Sequence, residues 1–174
     1  KVVLKPMPWA RILAEVEEGI IEGTFGCYKN AKREEIAIFL DFPISWNAVS
    51  IFVRKGEEFP FEKIEDLYGK RIGIVRKYTT SKEFDQAMRE GRIPVEEVDD
   101  YKNLVRMLDA ERIKGIAGAT SAIQAHFTDM KMSDRFVALP HFVSEPRSVH
   151  ICISKTAKIP NREAMIAKMN QAIR

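Results

Sequence analysis

Two short segments carry side chains whose types and spacing suit the capture of an anion. The first runs from Gly26 through Cys27, Tyr28, Lys29 and Asn30 to Lys32-Arg33-Glu34-Glu35, where a short apolar strand enters a polar turn and then a helix or turn that begins near Arg33. A guanidinium is a planar fork that matches two carboxylate oxygens, and it stays charged at any working pH. A cation at a helix start meets the positive end of the helix dipole, so a plain surface arginine is poorly placed there and the position asks for a functional reason. The second segment is Arg76-Lys77-Tyr78-Thr79-Thr80, between a β-branched strand over 71–75 and a helix over 81–90. Free backbone N–H groups at a helix start make an anion site, Tyr78 and Thr79 can donate hydroxyls, and Lys77 adds charge. Ordinary N-capping by Thr79 or Thr80, with Glu83 completing a capping box, is the competing reading and is compatible with binding.

Other chemistries find less support. The histidines are His126, His141 and His150, and His150 with Cys152 places two possible ligands on one strand face. A metal site needs about four donors, and no further pair has suitable spacing. No G-x-S-x-G nucleophile motif occurs. Gly69-Lys70 followed by Ile72-Gly73 has the wrong glycine spacing for a phosphate loop. Glu15, Glu17 and Glu18 read as a solvated helix face. Cys27 and Cys152 are the only cysteines. An oxidising compartment would permit a disulfide, but the plainer reading is two buried small apolar residues.

The elements that must position these residues follow from periodicity. Val2 to Lys5 reads as a strand. Trp9, Ile12, Leu13 and Val16 fall at i, i+3, i+4 and i+7, one apolar stripe on a helix that Pro8 can open and Gly19 can close. Strands are expected over 20–27, 46–54, 71–75, 95–98, 115–117 and 149–154. Helices are expected over 81–90, burying Phe84, Ala87 and Met88, and over 102–110, capped by Asp99 or Asp100 with Leu104, Val105 and Leu108 inward. Two more are expected from Thr120 through Phe127, and after Asn161 with Met165, Ile166, Met169 and Ile173 on one face. Alternating strands and helices predict an α/β fold with mostly parallel sheets.

The 174 residues are 45% hydrophobic and 30% charged, enough for one core or two small ones. A net charge of +3 is too small and too dispersed to imply a nucleic-acid partner. No run of about 18 apolar residues is present. No basic segment followed by an apolar one opens the chain, so no signal peptide is expected, and a mature secreted chain would read the same.

In their order, residues 19–39 and 69–80 resemble the bacterial extracellular solute-binding proteins of family 3, the two-lobed receptors of polar amino-acid uptake systems. The resemblance implies an α/β, two-lobed periplasmic-binding-protein-like (type II) fold, here without its first strand and helix, and with upstream residues in the whole protein. Lobe one would be residues 1–46 plus 151–174 and lobe two 47–150, joined by crossing segments near Pro43–Ala48 and Arg147–Cys152. It further implies a small carboxylate-bearing or amino-acid-like ligand, held between the lobes, and a membrane permease of an ABC transporter as partner. The setting would be periplasmic or extracellular, with no cofactor and no metal.

The implied ligand-binding residues are Trp9, Gly26, Tyr28, Arg33, Arg76, Lys77, Tyr78, Thr79 and Ala119. Trp9 would pack on the ligand, or is simply the first residue of its helix stripe. Gly26 and Tyr28 would offer hydrogen bonds, and Arg33 would clamp a carboxylate. Lys77 stands where the family often has glycine. Ala119 stands where many amino-acid binders hold the ligand's ammonium with an acid, and Lys114 replaces a usual aspartate. The ligand is therefore expected to lack an α-ammonium, or to meet another acid such as Glu145. Two other readings stay open: a ligand-binding sensor domain, and a dehydratase-like cleft enzyme using Asp41 or Glu145.

Overall fold

In the computed structural model, which describes residues 2–174, the stripe of Trp9, Ile12, Leu13 and Val16 becomes helix α1 (Trp9–Glu18). Lys1, the first residue of the expected first lobe, lies outside the described residues. Gly19 ends α1 at φ 72°, in the left-handed region, and an added Cβ there would stand 2.7 Å from the Ala157 nitrogen. Both the backbone angle and the close approach call for glycine. Strand β1 (Gly23–Tyr28), helix α2 (Ala31–Ile36) and strand β2 (Ala37–Phe39) follow.

β1 and β2 each pair antiparallel with strand β7 (Phe136–Ser154), from Gly23↔Ile153 to Tyr28↔Val149 and from Ala37↔Ser154 to Phe39↔Cys152. Buried Val16, Cys27, Ala37 and Cys152 form the core beneath, covered by Trp9, Ile12, Ile21, Ile36 and Phe39. The buried Ser154 hydroxyl donates to the Val16 carbonyl at 2.6 Å and accepts from the Ala157 N–H at 3.0 Å, which ties the end of α1 to the end of β7. Helix α6 (Arg162–Ala172) half-buries Met165, Ile166 and Met169. These elements make one compact unit, Lys1–Trp46 with Arg147–Arg174.

The second unit is Asn47–Pro146. It uses strand β3 (Ser45–Arg54), strand β4 (Ile72–Val75), helix α3 (Lys82–Arg89), strand β5 (Val95–Val98), helix α4 (Tyr101–Asp109), strand β6 (Gly115–Ala119) and helix α5 (Thr120–Asp129). The strand order is β7-β3-β6-β4-β5. β4 runs parallel to β5 and β6, because α3 and α4 return the chain between them. β3 meets β6 antiparallel, from Val49↔Ala119 to Phe52↔Ile116. β3 and β4 are buried on both faces, and Ile51, Phe61, Leu67, Ile72, Phe84 and Ile93 anchor the core.

Several expectations from the sequence are corrected. The sheet is mixed rather than mostly parallel, since β1, β2 and β3 pair antiparallel. Residues 2–5 form no strand, and Val2, Val3 and Leu4 are exposed. The first strand begins at Gly23, not Ile20, because the Ile20 and Ile21 N–H groups turn back to the Glu15 carbonyl. Thr80 does not cap α3; its buried hydroxyl donates to Asp85 Oδ1 at 2.6 Å, and Ser81 caps by accepting from the Phe84 N–H. Thr120 is helical and donates to the Ala48 carbonyl at 3.1 Å instead of capping α5. Asn161 makes no side-chain cap on α6, having entered the left-handed region at φ 51°. Residues 136–148, which the periodicity left without an element, are strand, as the first part of β7.

Candidate functional site

On the first unit, α2 is six residues long and is started by Asn30, whose side chain accepts from the Arg33 N–H at 2.9 Å. That cap fixes Arg33 in the first turn with its side chain turned inward, and the residue is only 6% exposed. Arg33 is therefore no surface arginine. Its Nη1 donates to the Tyr28 carbonyl at 2.9 Å, and its guanidinium lies 5.1 Å from the centre of the Trp9 ring. Desolvating a cation costs several kcal/mol, and hydrogen bonds with a π face offset part of it.

Trp9 thus belongs to the helix stripe and to the surroundings of Arg33 at once. Its indole N–H is buried without a hydrogen-bond partner among the described residues. Tyr28, also buried, gives its carbonyl to Arg33 and its ring to Arg147, whose guanidinium is 4.2 Å from the ring centre. Two guanidiniums therefore gather on Tyr28. Gly26 sits in the β1 bulge between Thr24 and Cys27 at φ 82°, and an added Cβ would meet nothing within 4 Å. Glycine serves that position by its backbone angle and not by making space.

Cys27 is next to this group. Its thiol donates to the Tyr28 carbonyl at 3.7 Å. The neighbouring Cys152 thiol, and then the Arg33 charge, hold Cys27 below the ordinary thiol value, against its burial. The neighbouring Cys27, together with burial, pushes Cys152 up.

On the second unit, the loop from β4 to α3 carries Arg76, Lys77, Tyr78 and Thr79. Arg76 Nε reaches Asp99 Oδ1 at 3.1 Å, an exposed pair. Lys77 has φ 59°, the left-handed backbone that glycine adopts most easily, and its side chain is exposed. Tyr78 and Thr79 are half-buried, with Tyr78 packed on the core. The start of α3 already has Ser81 as its cap and Glu83 and Asp85 in its first turn, so part of its positive end is met from within the chain.

Ala119, at the end of β6, is 8% exposed. Its N–H donates to the Tyr101 hydroxyl at 3.2 Å. That hydroxyl would lie 2.6 Å from a Cβ on Gly118, so glycine at 118 lets Tyr101 reach Ala119. Lys114 lies in a separate exposed network, with Nζ 2.7 Å from Glu57 Oε2. Hydrogen bonds from Arg54 and then Lys114 hold the Glu57 carboxyl below its ordinary value.

Sequence reasoning missed Arg147 and Tyr101. Arg147 follows Pro146 with no motif around it, and Tyr101 lies just before the helix expected over 102–110. The acids considered for catalysis are both exposed: Asp41 accepts from Asn170 at 2.7 Å, and Glu145 lies in β7. Two surface grooves contain none of the residues proposed for binding. One runs along α6 beside Met165 and Met169, and the other lies among Arg54, Arg71, Arg112 and Lys114. Among the described residues no three His, Cys, Asp or Glu side chains are grouped to hold a metal, and no helix is long and apolar enough to cross a membrane.

No protein-family model matches the chain, and no curated protein matches it. Solved structures do. An ancestral arginine-binding protein bound to arginine superposes with TM-score 0.82 at 20% identity, over 99% of this chain and 73% of that one. The substrate-binding protein of an amino-acid ABC transporter gives 0.78 at 16%, over 99% and 72%. A histidine-kinase sensor domain with similarity to periplasmic binding proteins gives 0.77 at 14%, over 95% and 68%. Likeness over nearly the whole chain assigns this protein the mixed α/β, periplasmic-binding-protein-like fold of these binding proteins.

Proposed function

We propose that the protein is an extracytoplasmic receptor for a small carboxylate-bearing solute, working in uptake with a membrane permease of an ABC transporter. The observation that carries this reading is Arg33: a guanidinium 6% exposed, set by the Asn30 cap at the start of α2, on the Trp9 ring and the Tyr28 carbonyl. Burying a guanidinium costs desolvation, and a planar cation held in one orientation is what bidentate capture of a carboxylate needs. Arg147 on the Tyr28 ring adds a second cation nearby. Trp9, Gly26 and Tyr28 complete the contribution of the first unit.

On the second unit, Arg76, Lys77, Tyr78 and Thr79 offer positive charge and hydroxyls that suit an anion. Ala119 offers a methyl group where the amino-acid binders that this sequence resembles use an acid. An ammonium buried there without a partner would cost several kcal/mol. The preferred solute therefore has no α-ammonium, or meets another acid such as Glu145. The fold is that of proteins that bind amino acids, which supports a binding role over catalysis. A second reading, a ligand-binding sensor domain, is favoured by the likeness to the histidine-kinase sensor domain.

A thermal-shift screen tests the proposal, with L-amino acids in one arm and carboxylates lacking an ammonium in the other. A ligand at 100 times its Kd stabilises by about 2.7 kcal/mol, a shift readily read. Shifts confined to the carboxylates are expected. Shifts with amino acids alone would overturn the assignment of Ala119, and no shift with either would overturn carboxylate capture.

A further inference from the structure

We propose that Cys27 and Cys152 are a dithiol that closes to a disulfide between β1 and β7 on exchange with an external disulfide. Both thiols are free in the structure and both side chains enter the same small core. The bulge in β1 makes this possible. Thr24 lies opposite Cys152, but the register shift sets Cys27 opposite His150, so the two cysteines become diagonal neighbours on one face, inside one small core. A plain antiparallel ladder continued from Thr24 would set Cys27 opposite Val149, on the other face from Cys152.

The surroundings favour one sulfur as nucleophile. Arg33 and the Cys152 S–H both stabilise the Cys27 thiolate, while burial and the neighbouring Cys27 keep the proton on Cys152. A thiolate beside a guanidinium is the attacking form in exchange. Access comes through local opening of the β1–β7 pairing, which uncovers Cys27.

The chemistry balances with an external disulfide as oxidant. Cys27 thiolate attacks one sulfur of that disulfide, forming a mixed disulfide and releasing one thiolate. Cys152 loses its proton, attacks the Cys27 sulfur and releases the second thiolate. The cysteine pair loses two electrons and two protons, and the external disulfide becomes two thiols. Closure also removes the Cys27 S–H from the Tyr28 carbonyl, to which Arg33 Nη1 remains bonded. Thiol chemistry thus reaches the residues proposed to hold the solute.

The test uses the unmodified protein, equilibrated with oxidised and reduced glutathione at several ratios and then unfolded with maleimide present. Oxidising ratios should remove both free thiols together, lower the intact mass by two hydrogens, and yield one cross-linked peptide pair containing Cys27 and Cys152. Cys27→Ser and Cys152→Ser should each give a glutathione adduct or a free thiol and no such pair. Two maleimide-reactive thiols at every ratio would overturn the proposal, as would glutathione adducts or chain-to-chain links in the unmodified protein. None of these outcomes depends on whether the receptor reading holds.

Discussion

Arg33 shows how one residue can be legible as a type and not as a position. The sequence marks it as a cation at a helix start, which is a poor place for one. It does not disclose that the Asn30 cap turns the side chain inward onto Trp9 and the Tyr28 carbonyl. Arg147 was invisible, because a cation–π contact between residues far apart in the chain leaves no local pattern. Gly118 makes the same point on the second unit. It reads as a small strand residue, yet its missing Cβ is what admits the Tyr101 hydroxyl to the Ala119 N–H. Gly118→Ala should therefore displace Tyr101 and destabilise the fold by about 1–3 kcal/mol. Urea unfolding of the variant checks this, and an unchanged midpoint would contradict it.

At the scale of elements, the helices were read more faithfully than their caps. The stripe from Trp9 to Val16 predicted α1, and Gly19 ended it as expected. Asp100 caps α4, as its position before an apolar run suggested. Thr80, with Glu83 three residues on, was the expected cap; Ser81 takes the role because Thr80 is buried against Asp85. The first half of β7 was missed: Pro140 and Pro146 fall within it, and proline is uncommon inside a strand.

The 3-10 turn Ile64–Leu67 is held differently, by the Asp66 carboxylate accepting the N–H groups of Glu62 at 2.8 Å and Lys63 at 3.0 Å. These bonds hold the Asp66 carboxyl below its ordinary value of 3.8. The sign follows directly. The contribution is fully present above the unfolded value and is lost as pH falls through the lowered folded value. Unfolding midpoints against pH should therefore drop less steeply below pH 4 in Asp66→Asn than in the parent. Parallel curves would show that the turn does not depend on the ionised carboxylate.

For the whole molecule, the alternation of strands and helices predicted the α/β class, and superposition over nearly the full chain shows the fold at 20% identity or less for the structures compared. The sense of strand pairing was not legible. β7 joins β1 and β2 through pairings that bridge more than a hundred residues of sequence, such as Gly23↔Ile153, and hydrophobic pattern does not encode which neighbour a buried strand chooses. A shared fold also leaves the ligand undetermined, because function lies in the particular side chains set on it. The side chains proposed for that role are Arg33, buried on Trp9, and Ala119, where the resemblance implies an acid.

The most direct test of that account is isothermal titration of the strongest carboxylate ligand into the parent protein, Arg33→Ala and Arg33→Lys, with circular dichroism to confirm folding. Losing a charged hydrogen-bonding fork should weaken binding by about 100-fold in the alanine variant. Lysine, which cannot present two parallel donors, should restore only part of the loss. Folded variants that bind as tightly as the parent would show that Arg33 does not hold the ligand.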